Sequence, residues 1–437
     1  MKFEIFPKVF AAHKKTTFTL TAVGRVELPK HLQLMYIRED GADPDGKYFL
    51  TLGPHGNEYP ELPCRRVSDR EIEFDLCANG EYEHYIMPYL VDEAGMWSVR
   101  EKISLFSAEP DLYALRPWKG DFHMHSCRSD GAHAPCEVAA CCRRKGCDFM
   151  ALTDHHQYQP SLDAVAAMEK LPTEMRCYPG EEIHAGRVHV VNFGGSFSVN
   201  DFYRDNAEEF GNLVASIAAV LPDELNAHDR EQIAIAEAVF RKIGDAGGVS
   251  VYCHPYWRVA NDRFFITRPI CDVVMLRRNY DAMEVIAGFN RYEWEQNALN
   301  VAGWERMCGL GIKIPAVGVS DAHDYAPDSP RFAAFDWYNT IVFAPDCEFT
   351  SLSAAIRAGK SLAYERLPGG EPRLVGEFRY VKYGYFQLRE YFPEHDRLCQ
   401  IEGDRLGDAV SGNHPETAAL LTRDRYKVTE WRDHFFA

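Results

Sequence analysis

The sequence predicts an α/β domain preceded by an all-β, sandwich-like one, on three observations. Up to about Leu115 the chain falls into short runs rich in aromatic and β-branched residues, separated by turn residues. After Trp118, short apolar runs alternate with helical patterns, the signature of βα units around a mostly parallel sheet. Several of those later apolar runs end in His, Asp or Glu.

The first region reads as strands at Phe3 to Phe10, Thr16 to Val23, Leu32 to Ile37, Glu71 to Leu76 and Glu81 to Val91. Punctuation such as Gly41-Ala42-Asp43-Pro44-Asp45-Gly46 separates them, which suggests a small sandwich over residues 1–115. Glu109 to Pro117 reads as a linker. In the second region, 118–367, helices are expected at Pro135 to Lys145, Asp229 to Asp245 and Trp294 to Leu310. Cys147 to Leu152, Val249 to Cys253 and Ile314 to Val319 read as the strands that follow them. Pro368-Gly369-Gly370 suggests a boundary, after which 368–437 forms an extension with a strand-like run at Val375 to Leu388 and no legible chemistry.

Composition narrows the function. A formal net charge of -17 over 437 residues repels a long nucleic acid, whereas a small phosphorylated substrate held by cations remains compatible. No stretch approaches the roughly 20 apolar residues that span a bilayer, so no membrane partner is expected. Glu4, Lys8 and Lys14 interrupt any signal-like run, and a cytoplasmic location is expected. The 13 cysteines include no CxxC pair and read as reduced, packed thiols. Edge strands of the β region leave homo-oligomerisation open.

The chemistry gathers at strand ends. In Asp121-Phe122-His123-Met124-His125, strand alternation sends His123 and His125 to one face, a clamp for a borderline metal. Ser129-Asp130-Gly131 adds a carboxylate in a glycine turn, and Thr153-Asp154-His155 follows the apolar run Phe149 to Leu152. Gly180-Glu181-Glu182 offers carboxylates, His189 lies in the strand-like Arg187 to Val191, and His254-Pro255 and Ser320-Asp321-Ala322-His323 again end apolar runs. Ligand sites collect at such ends in parallel α/β folds. No Walker loop, dinucleotide fingerprint or nucleophile elbow is present.

This ordered set (HxH, SDG, TDH, GxE, a following His, HP and SDxH) resembles the PHP family, named for polymerase and histidinol phosphatase domains, from about Gly120 to Tyr364. The resemblance implies a distorted (β/α)7 barrel with up to three divalent cations at its strand ends. Carried over, His123, His125, Glu182 and Asp321 would hold the first cation. Glu182 would bridge to a second, completed by His189 and His254, and Asp130, His155 and His323 would hold the third. Glu182 is taken over Glu181 as the third position of GxE, although Glu181 and the extra His184 compete for the role. Asp154 reads as support for a ligand histidine, and Glu284 as either such support or polarity at the rim.

Mixed imidazole and carboxylate donors suit Zn, Mn or Fe better than Ca. The expected activity is hydrolysis of a phosphate monoester or short phosphodiester, such as a nucleotide, sugar phosphate or amino-alcohol phosphate, by a metal-bridging hydroxide. His156 is a candidate acid for the leaving group, against a solvated surface role. Arg128, Arg187 and above all Arg258 are candidate phosphate clamps, against surface or salt-bridge roles. Two alternatives stay open: hydrolysis of a C–N or C–O bond, and a binding module built on the β region. Long connections at Ser196 to His228, Arg258 to Met283 and Asp324 to Asn339 are candidates to cover the site.

Overall fold

The computed structural model describes residues 2–436 apart from 25, 43–51, 54–55, 58–60, 92–96, 100, 260–262, 289–293, 327–334, 336 and 413–415. Parts of the expected Gly41 to Gly46 turn, and of the Arg258 to Met283 and Asp324 to Asn339 connections, lie outside the described residues. The chain divides into two compact units. One comprises Met1–Leu115, Phe386–Glu394 and Lys427–Ala437, the other Arg116–Tyr385 and His395–Tyr426. Residues after 367 are thus shared between them.

In the first unit, one sheet orders the strands Phe3–Phe6, Thr16–Ala22, Glu71–Leu76 and Cys64–Arg66. A second orders Trp97–Val99, Tyr82–Val91, Ile103–Ala108 and Val9–Ala11, with Leu32–Arg38 also paired to Tyr82–Val91. Burial alternates along Thr16–Ala22 and Glu71–Leu76, as it does when one face of a sheet meets a core. Phe18, Leu20, Ile86 and Leu105, from both sheets, share one buried cluster. The expected Phe3 to Phe10 strand is broken at Pro7, which has no N–H for a ladder. Phe3–Phe6 pairs with Thr19 to Ala22, and Val9–Ala11 pairs with Phe106 to Ala108 in the other sheet. The unit is not all β, since helical residues 386–390 and 427–436 belong to it. The expected linker Glu109 to Pro117 contains the helical turn Pro110–Tyr113 and runs into the strand Arg116–Asp121.

In the second unit, a six-stranded sheet orders Arg176–Tyr178, Phe149–Ala151, Arg116–Asp121, Tyr338–Ala344, Ser361–Glu365 and Arg373–Val375. A five-stranded sheet orders Gly180–Ile183, Val190–Phe193, Val249–Tyr252, Ala282–Ile286 and Ala316–Gly318. Pairing is parallel around Phe149–Ala151 and Ala282–Ile286 and antiparallel around Val190–Phe193 and Tyr338–Ala344, so the sheets are of mixed direction rather than mostly parallel. Isolated parallel bridges join Met124 to Ala322, both just beyond strand ends, and His155 to Glu182 of the strand Gly180–Ile183. Phe122, Phe149 and Phe193 join valines of both sheets in a single buried cluster, with the Phe122 and Phe193 rings stacked at 4.7 Å. Gly120 allows this packing, because a Cβ there would lie 2.4 Å from the Phe149 ring.

The strand-like run Val375 to Leu388 is a correction: Phe378–Glu390 is a helix. Tyrosine and phenylalanine favour strands, but Tyr380, Tyr383 and Phe386 recur at helical spacing and are buried. The helix Phe392–Ser411 follows it. From it, His395 Nε2 lies 3.0 Å from Asp148 Oδ1, and Glu402 accepts from the buried Arg143 guanidinium at 2.7 Å. The thirteen cysteines are all free, with Cys141, Cys142 and Cys147 packed in the interior.

Candidate metal centre

Beyond the strand Arg116–Asp121 the backbone keeps its alternation, so Phe122 enters the core while His123 and His125 face the strand ends. The loop that follows is pinned by Asp154, which accepts from Ser126 N at 2.8 Å, Ser126 Oγ at 2.7 Å and Ser129 Oγ at 2.5 Å. Gly131 is required here, because a Cβ would lie 2.5 Å from the His125 carbonyl oxygen. Asp154 therefore shapes the loop that carries Asp130 rather than orienting an imidazole.

Glu182 is the hub. Its Oε2 lies 2.7 Å from His155 Nδ1, 3.3 Å from His123 Nε2 and 3.6 Å from His125 Nε2. Its Oε1 lies 3.0 Å from His184 Nε2, 3.1 Å from His189 Nδ1 and 3.7 Å from His254 Nε2. Three imidazoles thus face each oxygen of one buried carboxylate. Asp321 Oδ1 sits 2.9 Å from His125 Nε2 and 3.3 Å from His123 Nε2, and Asp130 Oδ1 sits 3.3 Å from His323 Nε2 and 3.5 Å from His155 Nε2. All nine ligand positions expected from the sequence are brought together. His189 sits immediately before the strand Val190–Phe193 rather than within it.

The hydrogen bonds behind the histidines fix which nitrogens look inward. His123 Nδ1 is 2.6 Å from Glu284 Oε1, so a proton on Nδ1 is held by that carboxylate while Nε2 faces Glu182 and Asp321. The other oxygen of Glu284 accepts from His254 N at 2.9 Å. Glu284 stands within the strand Ala282–Ile286, not at its end, and supports two ligand histidines. His323 Nδ1 lies 2.7 Å from the Asp321 carbonyl, which frees its Nε2 toward Asp130.

Glu181, one residue from the hub, faces the opposite way. It accepts from Val199 N at 2.6 Å, Ser198 Oγ at 2.8 Å, Asn200 Nδ2 at 2.9 Å and Asn192 Nδ2 at 3.0 Å. Its oxygens are therefore engaged in holding the start of the helix Val199–Asp205.

Burial alone would raise the Glu182 pKa, but His123 and His184 hold it well below the usual carboxylate range. Burial pulls His189 down to about 3, whereas at His155 the neighbouring Asp130 and Glu182 outweigh burial and lift it to about 10. His254 and Asp321 both adopt left-handed backbone, at φ 24° and 46°, a conformation that costs non-glycine residues energy and recurs at functional sites.

These residues fit a set of divalent cations. Both Glu182 oxygens, His123 Nε2 and His189 Nδ1, all facing the cluster, are buried without hydrogen-bond geometry. Buried polar atoms left so are costly, and cations satisfy them. Donor atoms of His125, Asp130, His155 and His323, of His123, Glu182 and His254, and of His123, His125 and Asp321 each lie within 4.8 Å of one another. The group Asp148, His395 and Cys399 has the same spacing, but both imidazole nitrogens of His395 already face carboxylates, at 3.0 Å from Asp148 and 2.9 Å from Asp396.

The second set of expected residues is placed differently. Arg258 Nη1 lies 3.3 Å from Glu295 of the helix Trp294–Gly309, with its guanidinium over the Phe264 ring at 5.1 Å, so it is engaged by an ion pair and a ring contact. Arg187 lies over Phe265 and Arg128 is exposed. His156 is exposed at the rim, and partial burial with His184 and His155 nearby lowers its pKa, which suits it poorly to hand on a proton near neutrality. His184 is the site residue the motif order did not assign.

Fold and site together are those of an α/β framework that gathers imidazole and carboxylate donors in one place. No family model matches the chain. It is 35% identical over 141 residues, 32% of its length, to the DNA polymerase/3'-5' exonuclease PolX of Bacillus subtilis, of which it spans 23%. Among solved structures it resembles a two-domain protein containing a predicted PHP-like metal-dependent phosphoesterase from Bacteroides vulgatus (TM-score 0.41, 18% identity, 62% of this chain and 70% of that one). It also resembles a putative metal-dependent phosphoesterase from Bifidobacterium adolescentis (TM-score 0.34, 19% identity, 48% and 89%). A third likeness is to an amidohydrolase from Chromobacterium violaceum (TM-score 0.32, 19% identity, 49% and 89%). No helix among the described residues is long and apolar enough to cross a membrane.

Proposed function

We propose that this chain is a metal-dependent phosphoesterase acting on a small phosphate monoester or short phosphodiester, such as a nucleotide or sugar phosphate. The observation that carries the reading is Glu182, a buried carboxylate with three imidazole nitrogens within 3.7 Å of each oxygen. Such a bridging carboxylate suits a polynuclear centre of Zn, Mn or Fe. Bound there, two or three divalent cations would supply Lewis acidity toward water and toward the phosphoryl oxygens. The protein's part is positional. Glu284 sets the His123 tautomer, Asp154 holds the loop bearing Asp130, and Asp321 and Glu182 balance cation charge. The same reading takes the two sheets of the second unit as the wall of a distorted (β/α)7 barrel.

The test strips the protein with a chelator, restores Mn²⁺ or Zn²⁺, and assays phosphate monoesters, short diesters, amides and lactones side by side. Metal-restored release of phosphate or of a phosphoester product is the expected result. Turnover confined to amides or lactones would sink the phosphoesterase reading, and inactivity across the panel with metal bound would favour a binding module.

A further inference from the structure

His184 lies outside the motif order yet inside the cluster. It follows the strand Gly180–Ile183, where side chains alternate, so Glu182 and His184 share a face while Glu181 and Ile183 take the other. The contacts agree: Glu181 is engaged with Asn192, Ser198 and Asn200, whereas His184 Nε2 is 3.0 Å from Glu182 Oε1 and 3.1 Å from His155 Nδ1. The His184 ring lies beside that of His189, a residue already expected to hold a cation, at a centroid distance of 3.6 Å. Around Glu182 Oε1 the motif order supplies only His189 and His254, an open set. His184 adds a third nitrogen at a distance matching theirs.

We propose that His184 is a metal-binding residue, so that the Oε1 side of Glu182 forms a three-histidine, one-carboxylate site for one divalent cation of the Zn, Mn or Fe class. Three imidazoles and one carboxylate complete the four-donor shell those ions accept. The inference rests on the metal-centre reading and goes beyond it by giving the second cation four protein donors, as many as the first.

Metal-free full-length protein titrated with Co²⁺, followed by visible absorbance, tests this without turnover. For wild type, stepwise binding is expected. In His184→Ala, one equivalent should weaken by more than about 100-fold, beyond the 10–100-fold that an indirect support accounts for, with its absorption bands altered and the other equivalents unchanged. Added imidazole should restore the weakened step in part. Binding and spectra identical to wild type would overturn the proposal, as would equal weakening of every step with a lowered melting temperature of the metal-free variant. His184→Gln keeps a polar side chain of similar reach and separates loss of the ligand from loss of packing. Wild-type protein that bound no Co²⁺ would overturn both this inference and the metal-centre reading.

Discussion

Glu284 does two jobs with one carboxylate: Oε1 accepts a hydrogen bond from His123 Nδ1 and Oε2 accepts one from the backbone N–H of His254. Glu284→Gln keeps the volume but removes the charge that fixes the imidazole. Affinity for the cation held by His123 should fall about 10–100-fold, as is usual when the partner behind a ligand histidine is changed. Competition against a chromophoric chelator measures it, and unchanged affinity would reduce Glu284 to packing. At Glu182 itself, Glu182→Gln should lose at least one equivalent of bound metal. Much of this was legible residue by residue. Alternation marks His123 and His125 as partners, and the same parity, applied two residues past Glu182, marks His184. Glu284 was only half legible, because its partners lie 161 and 30 positions away and sequence alone does not show which way a mid-strand acid faces. For Arg258 the local pattern misled, since its partner Glu295 lies in the helix Trp294–Gly309.

At the level of elements, a buried ionic network ties the helix Pro135–Arg144 to residues of Phe392–Ser411 within the second unit. Arg143, 1% exposed, donates to Glu402 and lies 3.3 Å from Asp148. Arg143→Met leaves the buried Glu402 carboxylate without its cation and should cost about 3–5 kcal/mol, read from the denaturant midpoint. Removing Glu402 as well should recover part of that loss. The neighbouring pair Lys119 and Asp396, 2.6 Å apart, sets a pH signature. Burial would raise the Asp396 pKa, but Lys119 and His395 hold it below its usual value; Lys119 itself is raised, because Asp396 outweighs burial. The depressed acid contributes stability above its unfolded value of about 4, lost as pH falls through the folded one. The raised lysine contributes below about 10.4, lost as pH climbs past its folded value. The stability gap between wild type and Lys119→Met/Asp396→Leu should therefore be flat between about pH 4 and 10 and shrink at lower pH. A gap independent of pH below 4 would contradict the assignment. None of this network was visible in the sequence, because 247 positions separate Asp148 from His395. The C-terminal helices were misread for a related reason: aromatic residues favour strands locally, and long-range packing decides otherwise.

For the whole molecule, cations that bind the folded chain and not the unfolded one stabilise it by mass action, about 2.7 kcal/mol at a concentration one hundred times Kd. Chelated protein should melt several degrees lower than protein with Mn²⁺ or Zn²⁺ restored, and calorimetry reads the difference. No shift at saturating metal would argue against the centre. The alternation of strands and helices after Trp118 was legible because it is local. The mixed sheet directions were not, and neither was the sharing of residues after 367 between the two units, since both depend on pairings between distant segments.

The left-handed backbone at His254 and Asp321 carries a cost for anyone seeking a sturdier variant. Glycine at either position would relax the backbone, yet would delete a donor from the cluster and, at buried His254, open a cavity. Relief of the local strain is therefore offset by lost packing and lost cation binding, and a hardier protein is better sought away from these two positions.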